Sequence, residues 1–329
     1  AVAGMQLGDE NAYAAKESGI LPDDFVVYKN AEANKSWFMF DDEIVFLGSN
    51  IHDKKNRQVV TTVDNRMVKG NVSLTLADQQ GNELNFTNGG FNDVKWVHLD
   101  APENKTVMGY YFPEGENITL SQEVRSGDVK DVYGTKSVAV NNKQFVTTVI
   151  DHGANPDYDS YSYVLLPGMT KQETADYAAS SDKVKILRND ESIQAVKQLA
   201  LNVVGINFFK AGKVNEFSCQ NPAVTMIQKK DKELTISLSD PTFSQSEISL
   251  FVDGKWEKTD SNSDYRVKVN GDVTEITFNT DGKNGKSILA SLKLSASQPE
   301  TTPEAGSGSN SEETNLPKLD FEVVNTGVK

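Results

Sequence analysis

Three histidines are the first side chains to weigh as catalysts, because imidazole alone exchanges its proton near neutral pH without help. His52 lies in the charged run Asn50-Ile51-His52-Asp53-Lys54-Lys55, which predicts a solvated loop. His98 follows Trp96-Val97 in a strand-like stretch, where a packed or edge position is expected. His152 belongs to Asp151-His152-Gly153-Ala154-Asn155-Pro156-Asp157-Tyr158-Asp159, a segment rich in oxygen donors. Calcium loops space such donors regularly around a glycine turn, and this segment does not, so turn capping is its expected role and no metal is assigned. Cys219 is the single cysteine, which excludes an internal disulfide, and no Cys/His cluster has zinc spacing. Nucleophile-elbow, phosphate-loop, dinucleotide and H-E-x-x-H motifs are all missing, and no cofactor is expected. Asp and Glu are plentiful, but no spacing singles out a carboxylate pair for glycoside hydrolysis.

The elements that would have to position any such chemistry read mostly as strand. Trp37–Met39 and Ile44–Leu47 are apolar runs split by an acidic turn, as in a hairpin. Alternation of period two recurs in 72–76, 234–238, 248–252 and 273–278, with turn signals at Gln80-Gly81-Asn82, Asn88-Gly89-Gly90, Asp253-Gly254 and Asn270-Gly271-Asp272. Residues 6–18 read as a short helix or an irregular strand. Thr170 and Glu173 offer a capping box ahead of a helix over 174–179. The chain therefore reads as all-β. A boundary is expected near Ser218 to Pro222, giving domains 1–218 and 219–296 and an acidic, flexible linker and tail over 297–329. The 329 residues carry 33 Lys and Arg against 47 Asp and Glu, a net charge of −14, which disfavours nucleic acid and anionic membrane as partners. No apolar run is long enough to span a bilayer.

Several strings together resemble polysaccharide lyase family 8, the bacterial hyaluronate, chondroitin AC and xanthan lyases. They are Lys35-Ser36-Trp37-Phe38-Met39-Phe40-Asp41-Asp42-Glu43-Ile44-Val45-Phe46-Leu47-Gly48-Ser49-Asn50-Ile51, then Thr61-Thr62-Val63-Asp64-Asn65-Arg66. Ile150-Asp151-His152-Gly153 follows with Tyr161-Ser162-Tyr163-Val164-Leu165-Leu166-Pro167, and last comes Leu238-Ser239-Asp240-Pro241-Thr242. The resemblance implies a large multi-sheet, galactose-mutarotase-like β-sandwich followed by a small C-terminal β-sandwich domain. It also implies a helical domain, not contained in this chain, that carries the catalytic Asn, His and Tyr. None of the three histidines corresponds to the catalytic one, so no catalytic residue is assigned here and the chain alone is expected to be inactive.

What the resemblance leaves to this chain is one wall of the cleft in an extracellular or wall-associated enzyme. Its partners would be hyaluronan or chondroitin and the helical domain of the same protein. The position of Asn50 matches an asparagine that contacts substrate in hyaluronate lyases, and Asn65 and Arg66 fall in a motif near the same wall. These three are the expected substrate-binding residues: an amide bridges hydroxyls, and a guanidinium pairs with a carboxylate. A turn role for Asn50 and a structural ion pair for Arg66 are the competing roles. A xanthan lyase, or a stand-alone carbohydrate-binding or adhesion module, is the alternative for the whole.

Overall fold

The computed structural model describes residues 1–8, 11–22, 24, 31–134, 136–180 and 183–295. Two compact units divide it: Met5–Ser181, and Asp182 onward together with Ala1–Gly4.

The first unit is organised by one long strand, Thr106–Asp128. Its first half pairs with Asp159–Pro167, which in turn pairs with Ile44–His52 and so with Glu32–Met39. From Ile118 its second half pairs instead with Ala139–Ala154, which carries Gln58–Val68 on its far edge. Gly89–Ala101 runs antiparallel beside both halves. The sheet thus forks. The register of Gly89–Ala101 breaks on either side of Val94, and the long strand turns at Gly115, whose φ of +77° suits a residue without Cβ. Apolar side chains from both branches meet in one core, among them Leu76, Val97, Phe112, Ile118, Leu120 and Ile150. The expected hairpin is present, with Trp37 edge-on to Phe46.

The second unit is a sandwich of two antiparallel sheets, one of seven strands and one of five. Ile206, Phe208, Ile236 and Leu238 from the larger sheet pack against Phe217, Leu250, Ile276 and Phe278 from the smaller. The alternating stretches expected at 234–238, 248–252 and 273–278 supply these inward residues. The boundary expected after residue 218 is corrected by this arrangement. Ser218 is the middle residue of strand Phe217–Cys219, paired to Phe251, and the division lies instead at 181–182. The segment expected to mark the boundary lies inside the sandwich, held where Gln245 Nε2 donates to the Pro222 carbonyl at 2.8 Å. The tail assigned to 297–329 lies outside the described residues.

At the start of the chain, strand Val2–Leu7 gives way to helix Asn11–Glu17, so both readings of 6–18 apply to part of it. Helix Lys171–Ala179 begins as expected. The Thr170 side chain accepts from the Glu173 amide, and the Glu173 carboxylate accepts from the Thr170 amide.

Candidate functional site

Asn50 is not a turn residue after a strand. It lies inside strand Ile44–His52, at a bulge where the register against Asp159–Pro167 slips between Asp159 and Tyr161. Its φ is +55°, the left-handed conformation that asparagine tolerates better than most residues. The slip resets the alternation of the strand, so Ile51 and His52 are both buried. His52 is therefore not on the solvated loop its charged neighbours suggested. Its Nδ1 donates to the Asn50 carbonyl at 2.9 Å, its Nε2 lies 3.0 Å from Glu32 Oε2, and its ring packs 4.9 Å from the ring of Tyr158. The Asn50 side-chain oxygen is buried and has no hydrogen-bond partner. A buried, unpaired amide oxygen is costly to a fold.

Two loops meet beside Asn50. The Asn56 amide donates to Asn155 Oδ1 at 2.6 Å, and Asn155 Nδ2 returns a bond to Asn56 Oδ1 at 3.1 Å. Asp53 caps the first loop, accepting from the amides of Lys55 and Arg57 and from the Arg57 guanidinium, whose bonds hold the Asp53 carboxyl well below the usual carboxylate range. The second loop is closed by His152. The carboxylate of Asp159 can only accept, so Nδ1 donates to it at 2.7 Å, and in the neutral ring Nε2 then accepts from the Thr61 hydroxyl at 2.9 Å. Hydroxyl, imidazole and carboxylate in this order have the geometry of a nucleophilic triad, but Thr61 is 6% exposed and the imidazole is buried, so no substrate reaches it. The group stitches strands Gln58–Val68, Ala139–Ala154 and Asp159–Pro167 together, the structural role expected of His152. His98 is likewise packed, with Nε2 donating to the Met169 carbonyl at 3.1 Å, and burial pulls its pKa down.

Asn65 and Arg66 are neighbours on strand Gln58–Val68, and their side chains contact different groups. The Arg66 guanidinium pairs with Asp64 at 2.5 Å and approaches the Tyr110 hydroxyl at 3.4 Å; Tyr110 itself bonds to Asp64. Burial opposes the Arg66 charge, but Asp64 and Tyr110 outweigh it and hold the guanidinium's pKa above its ordinary value. Asn65 Oδ1 accepts from Arg125 Nη1 and from Thr147 Oγ1, both at 3.1 Å, on an exposed stretch where Arg125 also lies over the Phe145 ring. Neither residue shares a contact with Asn50. Asn50 is instead joined through His52 to Tyr158, a residue that sequence reasoning missed.

Glu116 was also missed. Its Oε1 accepts from the Ser162 amide at 3.4 Å, and burial, with Asp159 and Glu114 nearby, pushes its carboxyl up to about 7. Its one sequence signal is the preceding Gly115, a break in a long run of strand residues. A cleft of about 630 Å³ opens between Met39–Ile44 and Pro167–Met169, edged by Asp41, Asp42, Glu43 and Glu173. Among the described residues, no group of three or more His, Cys, Asp or Glu is placed to hold a metal ion.

Comparison with known proteins matches both units. The model of polysaccharide lyase family 8, super-sandwich domain, matches residues 1–178, and that of the family's C-terminal β-sandwich domain matches 185–249. The chain is 34% identical over 276 residues to a xanthan lyase of Bacillus sp. (strain GL1), a match covering 80% of this chain and 29% of that protein. It is 30% identical over 273 residues to the hyaluronate lyase HylB of Enterococcus faecalis, covering 80% and 26%. The solved structure of a Paenibacillus xanthan lyase superposes with a TM-score of 0.76 at 32% identity, over 92% of this chain and 28% of that one. The chain thus spans a little over a quarter of the length of these relatives.

Proposed function

Because the chain belongs to polysaccharide lyase family 8, we propose that it is the β-portion of an extracellular lyase that cleaves hyaluronan or a related glycosaminoglycan by β-elimination. It forms one wall of the substrate cleft and supports a helical catalytic domain carried elsewhere in the protein. The observation that carries this is the match of both family β-domain models, over 1–178 and 185–249, in a chain about a quarter as long as its relatives.

The reaction explains the division of labour. The proton at C5 of a uronate is weakly acidic, so its removal requires a base, neutralisation of the adjacent carboxylate as charge develops, and an acid for the departing oxygen. Such groups must converge on one dry site. Among the described residues the three imidazoles are each buried in local structure, and Arg66 is already paired. What this chain supplies is positioning. Asn50 offers an amide at a fixed bulge to the sugar hydroxyls. Asn65 and Arg66 belong to the same proposed contact set, Asn65 with an amide nitrogen turned away from the oxygen that Arg125 and Thr147 hold. Polymers of this size are degraded outside the cell, which gives the location.

Asn50 favours a glycosaminoglycan over xanthan. Xanthan remains a second reading, favoured by the 34% identity to a xanthan lyase. The two are separated by joining this chain to the helical domain of the same protein and supplying hyaluronan, chondroitin and xanthan in parallel. The unsaturated uronate absorbs in the ultraviolet. Absorbance rising fastest with hyaluronan or chondroitin is expected; a rise with xanthan alone would overturn the substrate assignment.

A further inference from the structure

Tyr158 combines two features that folding alone does not favour. Its φ is +58°, a conformation costly for an aromatic residue, and its side chain is 61% exposed, so the strained backbone is not repaid by burial of the ring. Glycine or asparagine would occupy this corner at lower cost. The surroundings nevertheless over-determine it. On its N-terminal side the reciprocal amide bonds of Asn56 and Asn155 fix the loop. On its C-terminal side Asp159 is held by His152 Nδ1 at 2.7 Å and by the Ser160 amide at 2.7 Å. One side of the ring leans on His52, with centroids 4.9 Å apart, and His52 is itself tied to the Asn50 carbonyl.

The result is an outward aromatic ring propped on one imidazole, which is itself anchored to the backbone carbonyl of Asn50. An exposed aromatic face recognises a pyranose by covering the apolar C–H face of the sugar. We propose that Tyr158 is a sugar-stacking residue that, together with Asn50, holds one pyranose of the polysaccharide on this wall. This rests on the reading of Asn50 as a substrate contact and adds to it the group that fixes the plane of the sugar. Exposed Lys54, two residues past the end of the strand that holds His52, offers a uronate carboxylate a cation, while exposed Asp157 beside Tyr158 limits how far charge alone could attract an anionic chain.

The test uses the whole 329-residue chain and a hyaluronan hexasaccharide, titrated by ligand-observed saturation-transfer NMR. Tyr158→Asn keeps a residue suited to the left-handed backbone and removes the ring; it should weaken binding about threefold to tenfold. Tyr158→Phe keeps the ring and should stay within about twofold of the parent. Nitration of tyrosine supplies a measurement without mutation: the exposed Tyr158 ring should react ahead of buried Tyr110, Tyr161 and Tyr163, and the hexasaccharide should slow it. Unchanged binding by Tyr158→Asn, with weakened binding by Asn50→Ala, would overturn the stacking role and leave the Asn50 contact standing. No binding by the parent chain, or nitration unaffected by sugar, would overturn the proposal too. The lyase assignment is judged separately, by the unsaturated product.

Discussion

At the scale of single residues, the charged and polar groups separate into those that hold the fold and those with capacity to spare. Glu116 belongs to the first kind and is under electrostatic load. Its carboxyl is pushed up to about 7, chiefly by burial, whereas in the unfolded chain it titrates as an ordinary glutamate. Between those two values the native state binds more protons than the unfolded state, so stability falls as pH rises and levels off once both forms are ionised. Glu116→Gln should therefore flatten the decline in thermal midpoint between pH 5 and pH 8. A decline of unchanged slope in the variant would assign it to other groups. His52 shows where sequence reasoning met its limit at this scale. The run Asp53-Lys54-Lys55 reads as solvent-facing, and Lys54 and Lys55 are exposed, but Asp53 is buried and the bulge at Asn50 turns the preceding histidine inward. A one-residue insertion in a strand is written in backbone torsions, and an asparagine in the sequence does not announce it.

At the scale of elements, strands that are not hydrogen-bonded neighbours are joined by buried polar contacts. Asp64 and Arg66 lie on strand Gln58–Val68, and Tyr110 lies on the first half of Thr106–Asp128, in the other branch of the fork. Removing the guanidinium leaves a nearly buried Asp64 with a phenol as its remaining partner. Arg66→Ala should thus cost about 2–4 kcal/mol of stability by chemical denaturation. A loss below about 0.5 kcal/mol, the range of ordinary surface substitutions, would mean that the pair is not part of the fold. Most single elements were legible: the 37–47 hairpin, the capping box at Thr170 and Glu173, and the alternating strands of the second unit each follow from local pattern. The fork was not, because Thr106–Asp128 changes partners midway and no periodicity in one strand encodes a change of neighbour.

At the scale of the whole molecule, the domain boundary shows the same limit. Ser218 to Pro222 reads as a boundary, yet its strand pairs with Leu250–Val252 and Pro222 is tied to Gln245. Only the core, which gathers Ile193 and Phe208 with Leu250 and Phe278, places the division earlier in the chain. Of the proposed site, Asn50 is named by an ordered string of family residues; Tyr158 is not, since its proposed role depends on a torsion and on the proximity of His52. The net charge of −14 fits the same division of labour. In the proposed lyase an acidic β-wall would suit a helical domain that supplies the cations, and would repel an anionic product once cut. The central claim is that these 329 residues support and shape a lyase without containing its catalyst. It is tested most directly by following ultraviolet absorbance of hyaluronan with the chain alone, and with the chain joined to its helical domain. Absorbance that rises only for the joined protein is the predicted result; unsaturated product from the chain alone, or none from the joined protein on any uronate polymer, would contradict it.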